Sequence, residues 1–321
     1  MTRAFVTGVG GQDGGYLAEA LLARGDDVHA LVLHAERDAP LPDGVQRHVG
    51  DVTDVEATRR LLLDLAPDEV YNLAAISSVA HSWEWPDLAA LVNGTAAVAL
   101  LESAHQLQRT GHAVRFVQAS SAEVFGQPDT SPQDESTPVR PVNPYGAAKA
   151  YAHLMTGVYR HRGLHASSLV LYNHESPRRP AHFVTRKITR GVAEIATGRR
   201  DRLWLGNLDA RRDWGWAPDY VAAMVAAAGA EAPDDYVVAT GEAHAVRDLV
   251  ATAFAHVGID DWEPLVAVDP DLIRPADAAL LVGDASRARE RLGWRPTATF
   301  EQVVARMVDA DLGADGRAEP A

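Results

Sequence analysis

Thr7-Gly8-Val9-Gly10-Gly11-Gln12-Asp13-Gly14 closes an apolar, β-branched run over residues 4–9 and opens a helix-period segment over residues 14–24. A strand that empties through a glycine turn into a helix begins a βα unit, and that reading decides the fold. Glycines at 8, 11 and 14 let the backbone turn tightly and come close to an anionic group at the helix N-terminus. A glycine turn alone is a weak signal. Here it follows an N-terminal strand, precedes Tyr16-Leu17 and is joined by Asp51 after the third apolar run. The expected guest is therefore the pyrophosphate of a dinucleotide, held by Gly8, Gly11, Gln12, Asp13 and Gly14, with Asp51 and Val52 toward the adenine.

Working outward, apolar runs at 28–33, 45–49, 69–73 and 114–119 alternate with helical patterns at 55–65 and 87–108. Further βα signals follow at 144–162 and 165–171. Near-continuous apolar strands with helical crossovers predict a parallel sheet covered on both faces, an α/β, Rossmann-like doubly wound architecture. From Asn173 the pattern loosens; residues 173–180 are polar and Pro-bearing, and short segments then mix Trp, Arg and Gly. One strand at 236–239 reads as returning to the sheet, 246–257 and 300–312 as helices, and 313–321 as a frayed tail. The expected organisation is a dinucleotide-binding domain over 1–172, with a returning strand near 235–240, and a smaller substrate lobe over 173–321.

Composition bounds the chemistry. The 321 residues are 47% hydrophobic and 23% charged, ordinary for a globular protein. Cysteine is absent, which excludes disulfides, thiolate catalysis and Cys-ligated zinc. A net charge of −14 without a basic block argues against a nucleic-acid surface, so an anionic substrate must be held by a few local cations. Lysine occurs only at Lys149 and Lys187. No apolar run approaches the roughly 18 residues of a membrane helix, and the N-terminus enters a strand directly, so the expectation is a cytoplasmic protein without a membrane partner. The thirteen histidines show no helical zinc spacing with a third ligand, and no metal is expected. His81, His105, His153 and His161 read as helix-surface or satisfied core residues. Trp83, Trp85, Trp204, Trp214 and Trp294 read as packing anchors, Trp214 also as a wall of the nucleotide pocket.

Tyr145-Gly146-Ala147-Ala148-Lys149 follows Pro144, and the i, i+4 spacing puts phenol and ammonium on one helix face. A phenol titrates at about 10, and a neighbouring ammonium with an oxidised nicotinamide would favour its phenolate. Tyr145 can then remove a hydroxyl proton as hydride leaves the same carbon. Ser121 lies 24 residues upstream, in Gln118-Ala119-Ser120-Ser121-Ala122-Glu123-Val124-Phe125-Gly126. Glu123 is the unusual member. Once a sugar hydroxyl becomes a ketone, the adjacent C–H is acidic; a placed carboxylate can remove that proton and let water leave from the next carbon. The plainer reading of Glu123 is a solvated strand end. The end of the second strand, Leu33-His34-Ala35-Glu36-Arg37, carries neither an acid for the ribose of NAD nor an arginine for the 2′-phosphate of NADP at the strand end itself, although Arg37 can curl back.

These residues together resemble the GDP-mannose 4,6-dehydratases of the extended short-chain dehydrogenase/reductase superfamily. The likeness runs from about Ala4 to Val304. It is carried by Gly11-Gln12-Asp13-Gly14, Asn173-His174-Glu175-Ser176-Pro177-Arg178-Arg179, Val184-Thr185-Arg186-Lys187-Ile188 and Leu205-Gly206-Asn207-Leu208-Asp209-Ala210, with Arg212-Asp213-Trp214, Arg274-Pro275 and Gly283-Asp284. The resemblance implies Ser121, Glu123, Tyr145 and Lys149 as the catalytic set, and NADP as cofactor with NAD not excluded. It adds Arg37, Leu73, Ala74 and Ala75 to the cofactor site. For the GDP-sugar it implies Ser77, Ser121, Glu123, Asn173, Glu175, Arg179, Val184, Lys187, Leu205, Asn207, Arg212 and Arg274. A guanidinium fork suits a diphosphate and an ammonium a single oxygen.

Four departures stand out: Leu33-His34 replaces the family's arginine pair, a family segment is cut to residues 35–44, Ile76-Ser77-Ser78 replaces Gln-Ser-His, and Trp216 replaces a histidine. The shortened segment, which in the family helps build a tetramer, implies a homodimer. The implied reaction converts GDP-mannose to GDP-4-keto-6-deoxymannose. The alternatives are the same chemistry on another GDP-sugar such as a heptose, a GDP-hexose epimerase or reductase, or a nucleotide sensor without turnover.

Overall fold

The computed structural model describes residues 1–272 and 280–315. The chain runs β1 (Arg3–Thr7), α1 (Gln12–Arg24), β2 (Asp27–Val32), β3 (Gln46–Val49), α2 (Val55–Leu65), β4 (Glu69–Asn72), α3 (Val79–Glu84), α4 (Pro86–Ala90), a π-helical turn (Leu91–Thr95), α5 (Ala96–Arg109), β5 (Arg115–Ala119), α6 (Pro144–His161) and β6 (His165–Leu171). It continues through β7 (Asn173–Glu175), α7 (Val184–Ala196), β8 (Leu203–Leu205), β9 (Arg211–Arg212), β10 (Trp214–Trp216), α8 (Ala217–Gly229) and β11 (Asp235–Val238). The last elements are β12 (His244–Ala245), α9 (Val246–His256), β13 (Val266–Val268), β14 (Leu280–Leu281), α10 (Ser286–Leu292) and α11 (Phe300–Asp315).

Seven strands form one parallel sheet in the order β3-β2-β1-β4-β5-β6-β11. The chain order reverses between β1 and β4, so the crevice beyond their C-terminal ends is the topological switch point. Alternation along the strands feeds two cores. Val6, Val28 and Val32 join Leu17, Tyr220, Met224 and Trp294 on one face; Phe5, Leu31 and Phe116 join Leu62, Leu100 and Leu164 on the other. A third core gathers Ile188, Leu203, Trp214, Phe254, Phe300 and Val304 from α7, β8, β10, α9 and α11.

The first six strands and their helices lie where the periodicity puts them, within a residue or two. The second half differs from expectation in kind. Residues 173–175, polar in sequence, form β7, which pairs in parallel with β10; β12-β9-β14 and β13-β8 make two more small sheets. Besides the returning strand β11, helix α8 packs back onto α1 and α10 onto β11. The helix α11 runs through Asp315, and the remaining tail residues lie outside the described ones.

Two expectations need correction. The continuous helical run Pro86–Arg109 is, by length and composition, long and apolar enough to cross a membrane, although no such run stood out in sequence; 56% of its most apolar window is already buried in the protein, as suits a helix packed between α2 and α6. Trp83, Trp85 and Trp204 are not packing anchors: they are 55%, 61% and 50% exposed. Trp214 and Trp294 are buried, and the Trp294 indole donates to the Asp219 carbonyl at 2.6 Å.

Candidate active site

A cleft of about 400 Å³ opens beyond the C-terminal ends of the central strands, between the main sheet and the small sheets. A buried polar relay fixes its floor. Thr7 Oγ1 donates to Asn72 Oδ1 at 2.7 Å, and Asn72 Nδ2 donates to Gln118 Oε1 at 2.9 Å. Thr7 Oγ1 also accepts from the backbone of Leu73 and Ala74. In the π-helical turn, Asn93 bonds both backbone groups of Ile76 and so anchors the loop that carries Ala75 and Ser77 into the cleft.

The glycine turn is built for close approach. Gly8 has φ +73°, and a Cβ there would lie 2.8 Å from the Leu73 and Ala74 backbone; one on Gly14 would lie 2.2 Å from the Gly8 carbonyl. Larger residues would push α1 away from β1 and lift the turn off the crevice. Along the cleft the buried Ser120 hydroxyl and Trp214 Nε1 have no hydrogen-bond partner among the described residues. This backbone cradle with unsatisfied polar atoms at the switch point fits a dinucleotide with a polar substrate beside it.

Strand β5 leads into the turn that carries Ser121 and Glu123, two of the four expected catalytic residues. After Ala119 the chain makes a 3-10 turn over Ala122–Val124, capped by Ser121, whose Oγ accepts from the Glu123 backbone N–H at 3.3 Å. Opposite, α6 starts at Pro144 with Asn143 as its cap, accepting from Gly146 N–H at 2.7 Å. The same side chain turns its Nδ2 to Glu123 Oε2, also at 2.7 Å. A Cβ on Gly146 would stand 2.5 Å from the Glu123 carbonyl, so the helix can seat against this turn only with glycine there.

Tyr145 is buried and hydrogen-bonded to Ser121. Burial pushes its phenol up to about 12 and the Glu123 charge adds to this, against the Ser121 hydrogen bond, which lowers it. Lys149 Nζ donates to the Ala119 carbonyl at 2.8 Å and sits 5.9 Å from the Tyr145 ring centre. Burial pushes that ammonium down to about 8, opposed by the charge of Asp13. The expectation that the ammonium favours the phenolate is thus outweighed in the protein alone, because both groups are desolvated on the same helix face. Ala122 is packed in the core, so the turn offers one carboxylate, Glu123.

The remaining expected residues divide clearly. Asp13, Leu73, Ala75, Ser77, Asn173, Glu175, Arg179, Val184, Lys187, Leu205, Asn207 and Arg212 all line the cleft, as does Trp214. Glu175 accepts from Thr185 Oγ1 at 2.6 Å and pairs with Arg179 at 3.0 Å, which aims the guanidinium rather than offering a free acid. Burial, with the charge of Arg200, lowers the Lys187 ammonium. Gly8, Gly11, Gly14 and Ala74 are not among the residues that line the cleft; Gly8 and Gly14 support it through the close backbone contacts above, and Gly11 is exposed. Gln12 donates to the His174 carbonyl and accepts from Ser176, tying the glycine turn to β7. Three residues are elsewhere: Val52 is buried in a core, Asp51 accepts from Thr53 in its own loop, and Arg37 is exposed beside Asp38. Arg274 lies outside the described residues.

Two residues that brace this site escaped the sequence reading. Asn143 could have been found from the Asn-Pro pair that opens a helix. His174 could not, because its partner is far away in sequence: Nε2 faces Asp13 Oδ2 at 2.8 Å while Nδ1 faces the Tyr172 carbonyl at 2.6 Å. Burial opposes charge on both, but the ion pair prevails, raising the His174 imidazolium and lowering the Asp13 carboxyl.

A model of the family GDP-mannose 4,6 dehydratase matches residues 5–307. GDP-mannose 4,6 dehydratase 1 of Arabidopsis thaliana is 46% identical, the match covering 96% of this chain and 89% of that one. The GDP-mannose 4,6-dehydratase of Yersinia enterocolitica is 40% identical, with 97% and 94% covered. Among solved structures, the Thermus thermophilus UDP-glucose 4-epimerase complex with NAD superposes with a TM-score of 0.84 at 30% identity, covering 97% of this chain and 99% of that one. The Ser121–Glu123 turn, the Tyr145–Lys149 helix and the glycine cradle thus sit inside a match that spans nearly the whole sequence, and the chain belongs to the GDP-mannose 4,6-dehydratase family.

Proposed function

We propose that this chain is a GDP-mannose 4,6-dehydratase, an NAD(P)-dependent hydro-lyase that forms GDP-4-keto-6-deoxymannose, with the roles assigned below. The observation that carries the reading is Glu123, held in the cleft by Asn143 beside Tyr145 and Ser121. Oxidation and reduction at one carbon need only the latter pair; loss of water needs a base at the neighbouring carbon.

Gly8, Gly11 and Gly14 would hold the dinucleotide by backbone approach, with Leu73, Ala75 and Lys149 along its path. A nicotinamide held there would supply the hydride acceptor for the sugar's C4 and the hydride donor for its C6. Tyr145 takes the C4 hydroxyl proton, with Ser121 hydrogen-bonded to the same oxygen. Burial makes the tyrosinate a strong base, and the Lys149 charge steadies it. Glu123 then removes the C5 proton, made acidic by the C4 ketone, and delivers it to the departing C6 hydroxyl, which leaves as water. One carboxylate serves as base and acid because Ala122 carries none. A proton returns to C5, balancing the one Tyr145 took, so the sum is loss of one water without net oxidation. Arg179, Lys187, Asn207, Arg212 and Arg274 are the proposed holders of the GDP-sugar, with Asn173 and Ser77 toward the hexose. Residues 1–172 with the returning strand are the proposed cofactor domain, and 173–321 mainly the substrate lobe; the cytoplasm is the proposed compartment.

The chain is further proposed to act as a homodimer. Trp83, Trp85, Leu88 and Leu91, on the segment that packs along α6, join Tyr151, Leu154 and Val158 of α6 as large apolar side chains exposed on one face. A contiguous apolar face of this kind is what a two-fold contact buries.

Substrate deuterated at C4 tests the reaction. Mass spectrometry of the product should show loss of one water with the deuterium carried to C6. Deuterium lost to solvent, or no product from GDP-mannose with either dinucleotide, would sink the assignment.

A further inference from the structure

We infer that Glu36 makes this chain selective for the dinucleotide with an unphosphorylated adenine ribose, NAD over NADP. The inference rests on the cofactor site assigned above and concerns its far end. Strand β2 stops at Val32, and a 3-10 turn over His34–Glu36, closed by Glu36 N–H donating to the Leu33 carbonyl at 2.9 Å, bends the chain back toward the glycine turn. The bend brings Glu36 across Gly10: its Oε2 lies 3.6 Å from the point where a Cβ on Gly10 would stand. No acid sits at the strand end itself; this turn carries one to the glycine loop.

Glu36 also follows Gly14 by 22 residues, close to the spacing at which an acid meets the ribose of a dinucleotide in this class of fold. A carboxylate there can accept from both ribose hydroxyls. Facing a 2′-phosphate, it would set negative charge against negative charge, and selectivity built on such repulsion needs no new attractive contact. Its neighbours do not offset it. Among the described residues Glu36 has no ion pair; Arg37 is exposed and turned to Asp38 at 3.9 Å, and Asp38 adds a second acid to the turn.

Calorimetric titration of the purified chain with NAD⁺ and NADP⁺, without sugar, tests this. The dissociation constant for NAD⁺ should be lower by about tenfold or more. Glu36→Gln should bring the two constants to within about threefold, mainly by tightening NADP⁺, and Glu36→Arg should invert the order. Equal or tighter NADP⁺ binding by the wild type overturns the inference, as does an unchanged ratio in Glu36→Gln; either result leaves the dehydratase reading standing if the C4-deuterium experiment succeeds. Failure of both dinucleotides to bind would overturn the cofactor site and the inference together.

Discussion

Glu123 owes its aim to Asn143, one residue that does two tasks: its Oδ1 caps α6 and its Nδ2 holds the carboxylate. The tasks can be separated. Asn143→Asp keeps an oxygen for the Gly146 N–H but sets a second carboxylate against Glu123. Melting temperature should stay within a degree or two of wild type while turnover falls by at least about tenfold, because a base turned out of line loses much of its advantage. Glu123→Gln should cut turnover by about 10³-fold, with calorimetric binding of GDP and dinucleotide unchanged. An Asn143→Asp enzyme with wild-type turnover would show that the 2.7 Å contact has no part in the chemistry. At this scale the sequence was legible for Ser121, Glu123, Tyr145 and Lys149, whose meaning lies in short spacings. Asn143 joins residues 20 apart through a side-chain contact, which no spacing rule describes.

Strand β7 shows where element-level reading fails. Asn173-His174-Glu175 is too short and too polar for a period-2 signal, and its partner β10 lies some 40 residues on. Its hydrogen bonds come from tertiary contacts: His174 to Asp13, Gln12 to the His174 carbonyl, and Glu175 to Thr185 and Arg179. The buried His174–Asp13 pair couples this strand to α1, and its charge makes the coupling depend on pH. His174 titrates above its ordinary 6.5 in the folded chain, so its contribution is whole below that value and is lost as pH rises through the raised one. Asp13 titrates below its ordinary 3.8, so its share is present above that value and is lost only as pH falls through the lowered one. The melting temperature of the wild type should therefore fall more between pH 6 and pH 9 than that of Asp13→Asn, in which the imidazolium has no anion. Parallel curves would remove the pair from the stability of the protein.

At the scale of the whole molecule, α6 has two faces. One carries Tyr145 and Lys149 into the cleft; the other presents Tyr151, Leu154 and Val158 beside Trp83, Trp85, Leu88 and Leu91. Light scattering after gel filtration should give a dimer for the wild type and a monomer for Tyr151→Glu with Leu154→Glu, since each two-fold contact would bury every introduced charge twice. A wild-type monomer or stable tetramer would refute the proposed assembly. Sequence by itself determined the doubly wound sheet, because strand alternation, helix period and the glycine turn are local signals that repeat along the first half of the chain. It also singled out the proposed catalytic quartet, whose members are grouped within 29 positions and line one cleft. Tertiary structure alone decided the small sheets of the second half, the exposed tryptophans, the hold of Asn143 on Glu123 and the reach of Glu36 across Gly10. Each of these depends on which distant segments the sheet brings together, and a side chain's burial or partner is a property of that meeting rather than of its neighbours in the chain.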